Sequence, residues 1–183
     1  LRFATTSVSP PIGLAYVAGS LEAAGHTVKI VDAVAEDPTQ TTRSFKGFLM
    51  GLRIEDMTGR IHEDTKLIGI STIFTHEWPI VVQLMRLIKK RFPEVPIMVG
   101  GEHVSSMPEF CLHSSNADFI VMGEGEETSV VLAETIFSEN SHKDIAGISY
   151  RDGDRVIVNP RRQRNLAVDD IPRPAWHLFD LAS

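Results

Sequence analysis

Three stretches of this chain carry an apolar run into small residues. Val95-Pro96-Ile97-Met98-Val99 leads into Gly100-Gly101-Glu102-His103. Leu67-Ile68-Gly69-Ile70 leads into Ser71-Thr72, and Phe119-Ile120-Val121-Met122 leads into Gly123-Glu124-Gly125-Glu126. Such runs are too short for helices and suit strands buried on both faces. Helical periodicity fills the gaps between them, which predicts βαβ units and a mainly parallel sheet. Right-handed crossovers put helices on both faces, a doubly wound α/β fold. All three turns then share one edge, where open α/β sheets hold ligands.

Around this frame the sequence predicts further elements. Residues 1–9 hold at most a weak strand. Leu14, Ala15, Val17, Ala18 and Leu21 form a helical stripe ending near Gly25. A strand is expected over 28–31, ending at Asp32. Phe45, Phe48, Leu49 and Leu52 fit one helical face, and Met57 and Ile61 a second short helix. Pro79 opens a helix whose last turn carries Lys89, Lys90 and Arg91, complementing its dipole. Helices are expected over 107–115 and 126–138, the latter with Val130, Val131, Ala133 and Phe137 inward. Ile148 and Tyr150 alternate on one arm of a C-terminal β-hairpin, Val156 and Val158 on the other, with Asp152-Gly153 at the turn. The division expected is a domain over 1–158 and an extended connector over 159–183, where Pro172 and Pro174 interrupt any periodicity.

The 183 residues are 43% hydrophobic and 23% charged, enough for a core of ordinary size. A net charge of −6 argues against a nucleic-acid partner. No apolar run reaches the roughly 18–20 residues of a membrane span. Cys111 is the sole cysteine, which excludes a disulfide framework or a cysteine-held cluster within the chain. With no signal peptide visible, the expectation is a cytoplasmic protein.

The glycine turns serve either as tight strand-to-helix connections or as backbone that a ligand approaches closely. Glu124, Glu126 and Glu127 stand where a phosphate would sit on the next helix and repel it. No Gly-x-Gly-x-x-Gly follows the first strand and no P-loop occurs. A ligand rich in amide N–H groups suits carboxylates and bare backbone better. His76 and His103 follow strand ends, and a surface or capping role is the default for each. His26, His62, His113, His142 and His177 read as surface residues. Cys111 reads as buried and inert. Arg161, Arg162 and Arg164 read most simply as a solvated face, and Trp176 as packing on this domain or a neighbour.

Pro10-Pro11-Ile12-Gly13-Leu14-Ala15-Tyr16 and Leu21-Glu22-Ala23-Ala24-Gly25-His26 resemble the opening helix of the cobalamin-binding domain at the front of many radical SAM enzymes. The three strand-turn blocks follow in that family's order. The hairpin and Asp169-Asp170-Ile171-Pro172-Arg173-Pro174-Ala175-Trp176 look like its exit toward a catalytic barrel. The most similar subgroup holds the anaerobic magnesium-protoporphyrin monomethyl ester cyclases and related methyltransferases.

The resemblance implies a Rossmann-like or flavodoxin-like cobalamin-binding fold that presents cobalt to a radical SAM barrel acting on a small-molecule substrate. Ser71 and Thr72 would line the tail or corrin. Gly100, Gly101 and Glu102 would form the floor with His103 nearby, and Gly123, Glu124, Gly125 and Glu126 would close the other side. The Asp-x-His-x-x-Gly motif that supplies a lower cobalt ligand elsewhere is absent, as is the Cys-x-x-x-Cys-x-x-Cys that holds a [4Fe-4S] cluster. The cluster and S-adenosylmethionine then belong to the barrel, and the chain reads as an N-terminal domain of a longer enzyme. A domain that has lost its cofactor, and a flavin or nucleotide domain, are the alternatives.

Overall fold

The computed structural model describes residues 10–44 and 47–179. The weak strand expected over 1–9 and the position of Phe45 lie outside them. In chain order the elements are α1 (Ile12–Ala23), α2 (Ala33–Glu36), β1 (Thr41–Ser44), β2 (Gly47–Met50), α3 (Ile54–Gly59), β3 (Ile68–Ser71), α4 (Trp78–Arg91), β4 (Ile97–Gly100), α5 (Glu102–Ser106), α6 (Pro108–Ser114), β5 (Phe119–Val121), α7 (Glu126–Phe137), β6 (Ile148–Asp152) and β7 (Arg155–Val158). Single 3₁₀ turns stand at Thr75–Glu77, Val168–Asp170 and Trp176–Leu178.

The main sheet runs β3-β4-β5-β6-β7. β3, β4 and β5 are parallel, with Ile70 opposite Val99 and Val99 opposite Ile120. β6 and β7 pair antiparallel as the hairpin the alternation predicts, and β6 closes on β5. Strand period two sends Ile97, Val99 and Ile120 to one face, where they join Trp78, Met85 and Ile88 of α4 and Leu112 of α6. Met98, Phe119 and Val121 point to the other, against Leu132 of α7, Ile148 and Tyr150. α1 packs beside α7 on that second face. Helices thus cover both faces, as the buried runs require. At the N-terminal edge, Asp118 ties the strands: its carboxylate accepts from the Ile97 N–H at 2.7 Å and pairs with Lys89 at 2.9 Å. Among the described residues no helix is long and apolar enough to cross a membrane.

Two local expectations are corrected. Residues 28–31 form no strand, although Val28 and Ile30 alternate as a strand would. A strand exists only in a ladder, and among the described residues no ladder includes them. Asp32 instead caps α2, accepting from the N–H groups of Val34 and Ala35. The helix expected around Phe48, Leu49 and Leu52 is a hairpin of β1 and β2, with Thr42 opposite Leu49. Threonines favour extended backbone, and the glycines at 47 and 51 weaken a helix there.

The inward face of α7 also differs from the reading of apolar residues alone. Thr128, Ser129, Leu132 and Ala133 are buried, while Phe137 is exposed and meets the His26 ring edge-on. Leu132 is fully buried between α7 and the sheet. Leu132→Ala is therefore expected to cost about 3 kcal/mol in guanidinium unfolding. Leu166→Ala, at a position 86% exposed, should change stability by no more than about 0.5 kcal/mol.

The segment after the hairpin returns to α1. The Ala175 N–H donates to the Ala15 carbonyl at 2.9 Å. Gly19 leaves room for this crossing, since a Cβ there would stand 2.1 Å from the Arg173 carbonyl oxygen. Trp176 is half-buried with its ring against Phe179. A contact between His177 and Glu22 at 3.2 Å lies beside them.

Candidate functional site

The ends of β3, β4 and β5 meet at one edge, and a single close approach sets their spacing. Gly101 follows β4 with φ +114 and ψ 175, backbone open in practice only to glycine. A Cβ there would lie 2.1 Å from the Thr72 carbonyl oxygen. The Thr72 N–H donates to the Gly100 carbonyl at 2.9 Å, extending the β3–β4 ladder by one bond. The next turn is fixed differently. Gly123 has φ +75, and its N–H donates at 2.9 Å to the Ser105 hydroxyl on α5. The Met122 N–H donates to the Gly147 carbonyl.

A cleft of about 830 Å³ opens between these turns, the last turn of α1, the start of α7 and the segment at 161–172. Gly101, Glu102, Gly123, Glu124 and Glu126 line it. So do Ser20, Ser105 and the three arginines. The structure therefore brings together five of the ten residues read from the sequence. Four of the others lie around it. Gly100 precedes Gly101 at the end of β4. Thr72 is fully buried behind Gly101, and Ser71 is exposed at the end of β3. Gly125 is half-buried, with room for a Cβ limited by the Val17 side chain.

His103 sits elsewhere. It is buried on the opposite face of the sheet, 5.1 Å from the Trp78 ring centroid and with Nε2 3.6 Å from Cys111 Sγ. The surface or capping role expected by default is thus replaced by a core position, because α5 turns its side chain inward beneath Trp78. Burial lowers the imidazole pKa, so the ring is neutral near pH 7. Burial also pushes the Cys111 thiol up to about 11 and leaves it protonated and unreactive. His76 is exposed and stacked on Phe74. His142, expected at the surface, lies half-buried with its ring edge-on to Phe119 and Tyr150.

The arginines are not a bare solvated face. Arg162 pairs with Glu127 at 2.6 Å and donates to the Thr128 hydroxyl at 3.0 Å. Arg164 pairs with Glu124 at 2.6 Å. Arg161 donates to the Ser105 carbonyl at 2.8 Å. The acidic turn seen in the sequence is therefore largely neutralised where it meets the cleft. The signal was present as three arginines and three glutamates, but the partners lie 35 and 40 residues apart, beyond the reach of local pattern. Ser20 and Ser105 carried no signal at all, being ordinary serines on helices.

Four buried polar atoms have no partner among the described residues: Ser20 Oγ, His26 Nε2, Thr72 Oγ1 and His103 Nδ1. Only Ser20 belongs to a residue of the cleft wall. Unpaired buried hydroxyls are costly and mark places where a polar group of a ligand is welcome. A second cavity of about 340 Å³ lies at the opposite edge, lined by Lys89, Asp118, His142 and Tyr150 among others. Its lysine and aspartate already satisfy each other. Among the described residues no group of three or more His, Cys, Asp or Glu could hold a metal ion. The cleft thus suits a neutral or mixed-charge organic ligand, contacted by backbone, hydroxyls and carboxylates.

A family model described as the B12 binding domain matches residues 4–133. The cytidylyl-2-hydroxyethylphosphonate methyltransferase of Streptomyces wedmorensis is 30% identical over 93% of this chain and 37% of its own length. The anaerobic magnesium-protoporphyrin IX monomethyl ester cyclase of Synechocystis sp. is 30% identical over 94% of this chain and 32% of its own. The chain thus spans about a third of the length of these relatives. In three dimensions it is similar to the radical S-adenosylmethionine methyltransferase TsrM from Kitasatospora setae, solved with cobalamin and a [4Fe-4S] cluster bound. That likeness has a TM-score of 0.65 and 17% identity, and covers 92% of this chain and 30% of TsrM.

Proposed function

The chain belongs to the B12-binding domain family, and from that membership we propose that it holds cobalamin at the cleft beside Gly101 and Gly123 and presents it to a radical SAM barrel in a longer protein. The observation that carries the reading is the Gly101 wedge. Backbone packed against backbone, with no room for a Cβ, keeps the end of β4 low and bare beside a cleft of ligand size.

The residues present fit the group. The volume admits the nucleotide tail of cobalamin rather than the whole cofactor. Glu102, Glu124 and Glu126 offer acceptors to the amide arms of the corrin rim. Ser20 offers a buried hydroxyl without a partner, and Gly101 and Gly123 let backbone come close. Ser71 and Thr72 border the same edge at the end of β3. Bound cobalamin supplies a cobalt centre able to carry a methyl group or an electron. The chain's part would be to bind, orient and shield it, while the His103 imidazole stays buried beside Trp78 and Cys111, away from the cleft.

On this reading residues 1–158 carry the helices and strands of the cofactor domain, and 159–183 complete the cleft wall through residues 161–172 on the way toward the barrel. Methyl transfer or cyclisation on a small molecule, with S-adenosylmethionine and a [4Fe-4S] cluster in the barrel, is the activity proposed for the whole protein. The test is direct. Folded protein mixed with hydroxocobalamin and passed through gel filtration is expected to keep the cobalamin absorption at close to one equivalent. Emergence of colourless, folded protein at micromolar cofactor would sink the proposal.

A further inference from the structure

We propose that Arg161 is the specificity residue for the phosphodiester of the cobalamin nucleotide tail, so that the cleft distinguishes complete cobalamin from corrinoids lacking that tail. The inference rests on the cobalamin reading and extends it to the one acidic group of the cofactor. Three arginines line the cleft. Two are spoken for, by Glu127 and Glu124. Arg161 alone of the three pairs with no carboxylate among the described residues. It uses its guanidinium on a single carbonyl, that of Ser105. A guanidinium carries five N–H donors in a planar fork that matches two phosphate oxygens.

Arg161 is also held in register with the floor of the cleft. Ser105, which takes its N–H through the carbonyl, takes the Gly123 N–H through its hydroxyl at 2.9 Å. One buried serine thus fixes the arginine relative to the β5 turn. The same cleft is lined by Ser20, 5% exposed with its Oγ unpaired among the described residues. A hydroxyl donor and a fixed cation in one cleft are the elements a phosphodiester needs.

The carboxylates do not oppose this. Glu124 and Glu127 are each matched by an arginine at 2.6 Å. Glu102, Glu126 and Asp170 remain on the lining. They face a cofactor whose corrin rim is rich in amide donors and whose oxidised cobalt–corrin unit is cationic. The charge on the cleft is mixed, as is the charge on the cofactor. The bland alternative, a solvated arginine bracing Ser105, predicts no preference between corrinoids.

Affinities for hydroxocobalamin and for diaquacobinamide, the same corrin without the nucleotide tail, separate the two. Arg161→Gln keeps an N–H for Ser105 and removes the charge. It is expected to weaken hydroxocobalamin about tenfold and to leave diaquacobinamide unchanged. Arg161→Lys should lose less than Arg161→Gln. Rising salt should weaken hydroxocobalamin more in the parent than in Arg161→Gln. Equal losses for both corrinoids, or no loss for either, overturn the proposal. If the parent binds diaquacobinamide but not hydroxocobalamin, the phosphodiester contact is likewise excluded. If it binds neither, the cobalamin reading itself fails, an outcome visible before any arginine is changed.

Discussion

Gly101→Ala is expected to lower the unfolding free energy by about 3 kcal/mol or more, measured by guanidinium denaturation. Two independent costs converge. The backbone at φ +114 and ψ 175 is strained for any L side chain. The new methyl would also lie 2.1 Å from the Thr72 carbonyl oxygen, far inside contact distance. Thr72 cannot yield easily, because it is 1% exposed and its N–H is committed to the Gly100 carbonyl. Gly13→Ala is the matched control. Gly13 is exposed on α1 with nothing near its Cβ, and alanine there should be neutral or stabilise by about 0.5 kcal/mol. A loss below about 1 kcal/mol at Gly101 would show that the strand ends can separate. The wedge would then not be what shapes the cleft.

Gly100→Trp is expected to do the opposite: spare the fold and abolish cofactor retention. A Cβ at Gly100 meets only Val121, at 3.8 and 4.0 Å, which is ordinary contact. Strand period places residue 100 on the same face as Met98, toward α1 and α7, where the cleft lies. An indole there fills space that the proposed cofactor needs. Stability should stay within about 1 kcal/mol of the parent, while hydroxocobalamin affinity falls at least about a hundredfold. Parent-like affinity in a folded Gly100→Trp protein would move the cofactor away from the β4 end. Read together, the two glycines separate a backbone that builds the site from a surface that receives the ligand.

Much of this fold was legible because its signals are local. Strands buried on both faces need unbroken apolar runs, and 97–100 and 119–121 have them. A helix facing a sheet needs a stripe, and α4 has one, closed by Lys89, Lys90 and Arg91. The hairpin announced itself through alternation and Gly153, which adopts φ +62. Where the sequence misled, a partner decided. Val28 and Ile30 have strand character without a ladder. Phe48 and Leu49 have helical spacing but lie in a hairpin, and Phe48 is 75% exposed. Apolar character alone placed Phe137 inside, yet α7 buries Thr128 and Ser129 instead, where it meets α1 and the sheet.

The candidate site divides along the same line. The sequence by itself determined that three strand ends finish in small residues, and that Gly100-Gly101 and Gly123-x-Gly125 stand at one sheet edge. That follows from chain-local chemistry: residue size, strand period and the conformational freedom of glycine. Only the tertiary structure decided which of those glycines is indispensable, because the Thr72 carbonyl that excludes a Cβ belongs to another strand. Only it turned His103 away from the cleft into the core. Only it brought Arg162 and Arg164 onto glutamates 35 and 40 residues earlier and left Arg161 beside the Gly123 turn with no carboxylate partner among the described residues. Pairing across such separations is set by how helices and strands pack, and packing is a property of the whole chain.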